Sequence, residues 1–172
     1  MLNQVVVDAI NAQINAELSA SYSYLAMSAY CERINFTGCA RWFRIQSDEE
    51  HVHAMKLFDF LLARGAAVQL TAIGGPRNDF GSVLEVFETA YAQEQRVTAQ
   101  INQLYEVAFG AKAFDTVVQM QWFVNEQVEE EKTMREVVAR MAMIKDDPAS
   151  MLDMDRELGA RTPEAGGAEE GA

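Results

Sequence analysis

Two long stretches of the chain lack the residues that commonly interrupt helices. Residues 1–34 contain neither proline nor glycine, and residues 38–64 contain only Gly38, at their first position. Both stretches are rich in Ala, Glu, Gln, Leu and Met, which favour helix. Apolar residues recur along the first stretch at helical spacings, at Val6, Ile10, Ile14, Leu18, Leu25 and Ala29. Long helices, each with one buried face, are therefore the main elements that this sequence predicts.

Turn and cap residues divide the chain into five helices. Glycine commonly ends a helix, a Ser-x-x-Glu capping box begins one, and an Asp-Pro pair places proline at the first helical position. The predicted boundaries are a turn at 35–38, a second helix ending at Arg64 before Gly65, a third from Ser82 and Glu85 to Gly110, a fourth from about Ala111 to Lys145, and a short fifth from Asp147-Pro148 to Gly159. We predict no strand.

The connection 65–81 is the one long link between the predicted helices. At ~3.3 Å per residue it can stretch roughly 55 Å, whereas helices of about 27 to 35 residues are roughly 40–50 Å long. We therefore expect the link to cross the bundle from end to end, leaving the second and third helices parallel. The predicted fold is all-α: a four-helix bundle with one long crossover and a short fifth C-terminal helix.

Composition limits the range of functions. A chain of 172 residues fits one domain, and a formal net charge of −12 argues against binding to nucleic acid or anionic membranes. The sequence contains no apolar run long enough to span a membrane, and we expect no signal peptide. Cys31 and Cys39 are interpreted as free or buried thiols of a reducing cytosol, so a cytoplasmic location is expected. We assign residues 1–160 to the bundle and expect the low-complexity residues 161–172 to be disordered.

Acidic residues in the middle of the predicted helices are the candidates for chemistry. Glu17 lies deep in the first helix, Glu50 and His53 lie on one face of the second at i, i+3, Glu94 lies in the third, and Glu130 lies in the fourth. At 1.5 Å per residue, the carboxylates of the third and fourth helices fall at about the same height across their connecting turn. Those of the first and second helices agree with it to about one or two turns.

The pattern across the helices is more specific than any one residue. One glutamate on each of the first and third helices, with a three-spaced pair on each of the second and fourth, is the inward-facing pattern of a two-iron site. Buried carboxylates of this number stay ionised only if metal ions neutralise them. The alternative for each glutamate taken alone is an ordinary solvated helix face.

The chain resembles non-haem bacterial ferritins over essentially residues 1–160. The segments that carry the resemblance are Glu17…Tyr24-Leu-Ala-Met, Asp48-Glu-Glu-His-Val-His53-Ala, Pro76 with its following aromatic residue, and Gln121-Trp-Phe-Val-Asn-Glu-Gln-Val-Glu-Glu-Glu131. The resemblance implies a ferroxidase centre that oxidises Fe(II) with O₂ or H₂O₂. It also implies a homo-oligomeric, hollow cage of 24 subunits that stores hydrated ferric oxide.

The same resemblance implies a set of iron ligands. The first iron would be bound by Glu17, Glu50 and His53, and the second by bridging Glu50 with Glu94 and Glu130, beside Gln127. A third site would use Glu49, Glu126 and Glu129 and share Glu130. Tyr24 matches the tyrosine beside the centre. Trp122 is a possible redox neighbour, with core packing as the alternative.

Two departures from related patterns refine this prediction. The fourth helix carries Gln127-x-x-Glu130 where the symmetric two-iron pattern has Glu-x-x-His. The second iron position is therefore all oxygen, and we expect it to hold iron more loosely than the first. Haem-binding relatives carry a methionine after the bridging glutamate; His51 and then Val52 follow here, so no haem is expected.

Two other functions compete with iron storage. A rubrerythrin-like peroxide reductase would use the same bundle, but it would normally carry a Cys-x-x-Cys iron module, which this sequence lacks. A purely structural helical bundle would leave the acidic residues solvated and would bind no iron.

Overall fold

The computed structural model describes residues 2–163 and places five helices in them. The helices are α1 (Gln4–Arg33), α2 (Thr37–Ala63), α3 (Val83–Gly110), α4 (Phe114–Ile144) and α5 (Pro148–Gly159). No strand is present in this part of the chain, so the predicted fold class is confirmed. Most of the predicted tail, residues 164–172, lies outside the described residues.

Side-chain caps account for the helix starts that the sequence predicted best. The Ser82 hydroxyl accepts a hydrogen bond from the Glu85 amide, and the Asp147 carboxylate accepts one from the Ala149 amide. Helix α4 has no such cap and begins at Phe114, later than predicted. Lys112 explains the delay, because its positive φ of 55° reverses the chain between α3 and α4.

The long link is held along α1 by two asparagines. Asn11 donates to the Ala67 carbonyl at 3.0 Å and accepts from the Gln69 amide at 2.7 Å. Asn15 in turn donates to the Gln69 carbonyl and accepts from the Thr71 amide.

Farther along α1, the Tyr30 hydroxyl donates to the Phe80 carbonyl at 2.6 Å. The link therefore runs in the same direction as α1 and opposite to α2. It returns the chain to the end of the bundle where α2 begins, so α2 and α3 are parallel, as expected from its length.

The apolar core consists of two clusters separated by a polar layer. One cluster is rich in aromatic residues and includes Trp42, Phe43 and Phe87. The other is largely aliphatic and includes Ile14 and Leu57. The candidate iron ligands of every long helix lie between these clusters in sequence and in space. In the part of the chain that the structure describes, no helix is both long enough and apolar enough to cross a membrane.

Candidate metal centre

The polar layer brings together one or two candidate ligands from each of the four long helices. All five are buried, and the most exposed has only 7% of its surface accessible: Glu17, Glu50, His53, Glu94 and Glu130. Burial of glutamate at this density is rare unless the carboxylates are paired or bind metal. The alternative of a solvated acidic face is therefore wrong for these four glutamates.

Glu17, Glu50 and His53 form what we call the donor-poor half of the layer. Each offers a ligand atom within 4.8 Å of the others, and His53 Nδ1 lies 3.4 Å from Glu50 Oε2. Glu17 Oε1 accepts a hydrogen bond from Gln13 at 2.9 Å. Glu17 Oε2 and both carboxylate oxygens of Glu50 accept none from residues 2–163. These two carboxyl groups can bond to each other only through a shared proton.

Burial sets the protonation of this half. It raises the pKa of Glu17 to about 7 and that of Glu50 well above its ordinary value, because a carboxylate loses its hydration there. The neighbouring Glu94 carboxylate raises the pKa of Glu50 further. Burial, with a smaller contribution from Lys56, lowers the pKa of His53 to about 4. The imidazole is therefore neutral at pH 7 and its lone pair is available to a metal.

Glu94, Gln127 and Glu130 form the hydrogen-bonded half. The Glu94 carboxylate accepts a hydrogen bond from the Tyr24 hydroxyl and a second from Gln127 Nε2 at 3.1 Å. Glu130 accepts one from Gln46 Nε2 at 3.0 Å. Burial still raises the pKa of Glu94, and it raises that of Glu130 to about 8. The oxygens of this half are thus stabilised by protein donors, unlike those of the donor-poor half.

The residues of the implied third site are grouped less closely than those of the donor-poor half. Glu49 Oε2 accepts a hydrogen bond from Arg161 at 2.7 Å. Glu129 is exposed and lies 3.7 Å from Lys132, and Glu126 is half-buried. Within residues 2–163, only the donor-poor half brings three candidate ligand atoms within 4.8 Å.

Aromatic rings lie on the His53 side of the centre. The Trp122 ring packs edge-on against the imidazole with 5.3 Å between centroids, and Lys56 Nζ lies 4.3 Å from the Trp122 ring centroid. His51, beside these residues in sequence, is exposed.

Sequence reasoning did not identify three residues that contact the centre. Gln13 lies four residues before Glu17, and that i, i+4 spacing was a usable signal for the hydrogen bond between them. Gln46 lies four residues before Glu50, but it donates to Glu130 of another helix, so its spacing did not indicate its contact. Arg161 gave no signal, because it follows the last helix in the segment assigned to the tail. Its position became evident only from the packing of α5.

Comparisons with known proteins agree with this architecture. A family model described as a ferritin-like domain matches residues 7–144. The chain is 37% identical over 162 residues to the bacterial non-heme ferritin of Staphylococcus aureus, covering 94% of this chain and 98% of that protein. The Staphylococcus saprophyticus protein of the same name is also 37% identical, with 94% and 97% covered.

A solved structure also matches the chain over nearly its whole length. An open pore ferritin from the hyperthermophilic archaeon Archaeoglobus fulgidus superposes with a TM-score of 0.93 at 40% identity, covering 94% of this chain and 100% of that one. These matches extend over nearly the whole chain and include the four helices that carry the polar layer. The chain therefore belongs to the ferritin family.

Proposed function

We propose that this chain oxidises ferrous iron at a two-iron centre in the polar layer and passes the ferric product to a stored oxide mineral. The observation that carries the proposal is the donor-poor half: three buried carboxylate oxygens accept no hydrogen bond from any residue in the described range 2–163, and they lie beside a neutral imidazole. Leaving such oxygens unpaired costs about 1–3 kcal/mol each, or more when they are charged. A divalent cation supplies the missing partner.

The donor set fits iron as the substrate. Carboxylate oxygens and one imidazole bind Fe(II), and hard oxygen ligands favour the Fe(III) product. We assign Glu17, Glu50 and His53 to the first iron. Because burial raises the pKa of these carboxyl groups, binding of the cation releases their protons.

The hydrogen-bonded half serves the second iron in this proposal. Glu50 bridges to it, and Glu94 and Glu130 complete an all-oxygen ligand set beside Gln127. Tyr24 orients the Glu94 carboxylate through the hydrogen bond that its hydroxyl donates. Two ferrous ions supply two electrons, which together with two protons reduce O₂ to H₂O₂ or H₂O₂ to two waters. No side chain has to act as a nucleophile.

In this proposal the second iron is the one that is transferred towards the mineral. Its position lacks an imidazole and already contains three protein donors, so we expect it to bind iron more weakly than the donor-poor half. Glu49, Glu126 and Glu129, with Glu130 shared, provide the next acidic group as a third site. Iron leaving the second position can be transferred through them towards the mineral.

Storage requires an assembly, and we propose a homo-oligomeric cage of 24 subunits in the cytoplasm. The matched relatives and solved structures are named as ferritins. The surface offers large exposed apolar side chains for contacts between subunits, among them Tyr22, Leu70, Phe109, Phe114 and Val118. Cys31 and Cys39 are buried free thiols, which suits a reducing compartment.

Stopped-flow oxidation of Fe(II) tests the proposal. Replacing Glu50 and His53 together by alanine should abolish the fast oxidation phase and leave assembly, measured by size-exclusion chromatography, intact. Asp48→Asn is the matched control, because Asp48 is exposed on the same helix and should keep the fast phase. Fast oxidation that survives in the double variant would refute the assignment of the centre.

A further inference from the structure

Arg161, two residues beyond the end of α5, contacts α2 through several interactions. Its guanidinium donates one hydrogen bond to Gln46 Oε1 and another to Glu49 Oε2 at 2.7 Å. The same group lies 5.0 Å from the centroid of the Trp42 ring. Only 22% of the Arg161 side chain is exposed. The planar guanidinium is thus bound along two edges and on one face, which distinguishes this contact from an ordinary surface ion pair.

The packing of α5 on α2 places Arg161 there. The Asp155 carboxylate accepts hydrogen bonds from the Gly38 and Cys39 amides at 3.1 and 2.8 Å, at the beginning of α2. Gly159 lies so close to this turn that a Cβ on it would be 2.8 Å from the Gly38 Cα. The chain therefore leaves α5 against α2 at a fixed point, and the Arg161 side chain extends along α2 from that point.

Arg161 also acts on the two-iron layer through Gln46. A guanidinium only donates hydrogen bonds, so Gln46 must present its oxygen to Arg161 and its nitrogen to the other side. That nitrogen donates to Glu130 Oε2 at 3.0 Å. One positive charge thus holds Glu49 directly and fixes the donor that holds Glu130. Both glutamates belong to the implied third site.

We propose that Arg161 is an internal cation that occupies the Glu49 and Glu130 side of the centre and must be displaced before a third metal ion binds there. The inference rests on the proposed function and adds an order of filling. Cations enter the donor-poor half first, because its oxygens accept no donor from Arg161 or Gln46. The third site fills last, because its metal competes with a guanidinium that the α5 packing keeps in place.

Titration of the assembled, metal-free protein with Zn²⁺ tests this without any redox turnover. Isothermal titration calorimetry of the unaltered chain should give two tight zinc ions per chain before any third. In Arg161→Gln the third zinc should bind at least ~10-fold more tightly, a change that corresponds to about 1.4 kcal/mol. Arg161→Lys keeps the charge and should suppress the third ion nearly as well as arginine does.

Two further variants locate the effect. Adding Glu49→Gln to Arg161→Gln should remove the third zinc again, and an extra ion that persists would lie elsewhere and overturn the proposal. The chain has two tryptophans, so the substitution Trp122→Phe leaves Trp42 as the single one. Its fluorescence should change as the third zinc binds and Arg161 leaves the ring, even with Arg161 unaltered.

The possible failures are distinguishable. An unaltered chain that binds no tight pair of zinc ions would contradict the two-iron centre itself. A tight pair combined with an unchanged third affinity in Arg161→Gln would overturn only the role of Arg161. A lysine variant that binds the third ion as tightly as the glutamine variant would show that positive charge is not the barrier, which also overturns it.

Discussion

The two halves of the polar layer are equally buried but differ in the hydrogen bonds that the protein donates to their carboxylate oxygens. In the hydrogen-bonded half, Tyr24 and Gln127 donate to Glu94, and Gln46 donates to Glu130. In the donor-poor half, only one of the four carboxylate oxygens of Glu17 and Glu50 accepts a hydrogen bond from the described residues. The protein's own donors therefore distinguish the two positions before any metal arrives.

This difference gives a physical reason for one firm and one labile iron position. A cation entering the donor-poor half replaces protons and satisfies oxygens that accept no hydrogen bond from the described part of the chain. A cation entering the hydrogen-bonded half gains less, because its oxygens are already stabilised by amide and hydroxyl donors. The imidazole of His53 increases the contrast, since it adds a neutral nitrogen ligand on one side only.

The largest expected effect comes from removing a charged ligand from each half in turn. Glu17→Gln should weaken binding of the tightest Zn²⁺ by roughly 100-fold or more. This loss is larger than the one expected from replacing a residue that only hydrogen-bonds to a metal ligand. Glu130→Gln should weaken the second ion and leave the first nearly unchanged. Calorimetric titration of the two variants compares them directly. Equal weakening of the tightest ion in both would show that the halves do not differ.

The helices and the ligand-bearing positions could be predicted because their signals are local. Gly65 and Asp147-Pro148 mark boundaries through their own backbone preferences, and Glu50 and His53 share a helical face by spacing alone. The late start of α4 was missed because the positive φ of Lys112 is not encoded by a glycine. The contacts of Arg161 with Gln46 and Glu49 span more than a hundred residues of sequence, so no local pattern could indicate them.

The next effect concerns the pH dependence of the metal-free protein. Burial raises the pKa of Glu17 to about 7 and of Glu130 to about 8, so the folded state holds protons that the unfolded chain has released. This stabilisation is complete below the unfolded values near 4.5 and is lost as the pH rises through the folded values. His53, whose pKa is lowered to about 4, contributes in the opposite direction, but mainly below its ordinary value of 6.5.

Between pH 6.5 and pH 8 the carboxyl groups therefore dominate, because the unfolded chain releases only about the last half proton of His53 there. The free energy of unfolding of the metal-free protein should fall by about 2 kcal/mol over this interval, a decrease of several degrees in Tm. Thermal unfolding with a chelator at both pH values measures the decrease, and saturating Zn²⁺ should remove or reverse it because the ions replace the protons. Metal-free protein that becomes more stable from pH 6.5 to pH 8 would contradict the protonated state of the layer.

The smallest effect tests a single donor of the hydrogen-bonded half. Tyr24→Phe removes the hydroxyl that donates to Glu94 and keeps the ring packed on Phe43, with 5.9 Å between centroids. Leaving the buried Glu94 oxygen without this donor costs about 1–3 kcal/mol in stability. Part of that loss is recovered when a metal takes over the freed Glu94 oxygen. We therefore expect the second Zn²⁺ to bind a few-fold more tightly and the first to be unchanged, and we expect iron to leave the second position more slowly.

Tyr22→Phe is the matched control for this last change. Tyr22 lies on the same helix but is 47% exposed, so its hydroxyl has no part in the layer and its loss should leave both zinc affinities unchanged. If Tyr24→Phe instead weakens the second ion, the hydroxyl acts mainly by orienting Glu94 towards the metal. Tyr24 would then support metal binding in the hydrogen-bonded half, and the weaker binding there would have to come from the missing imidazole alone.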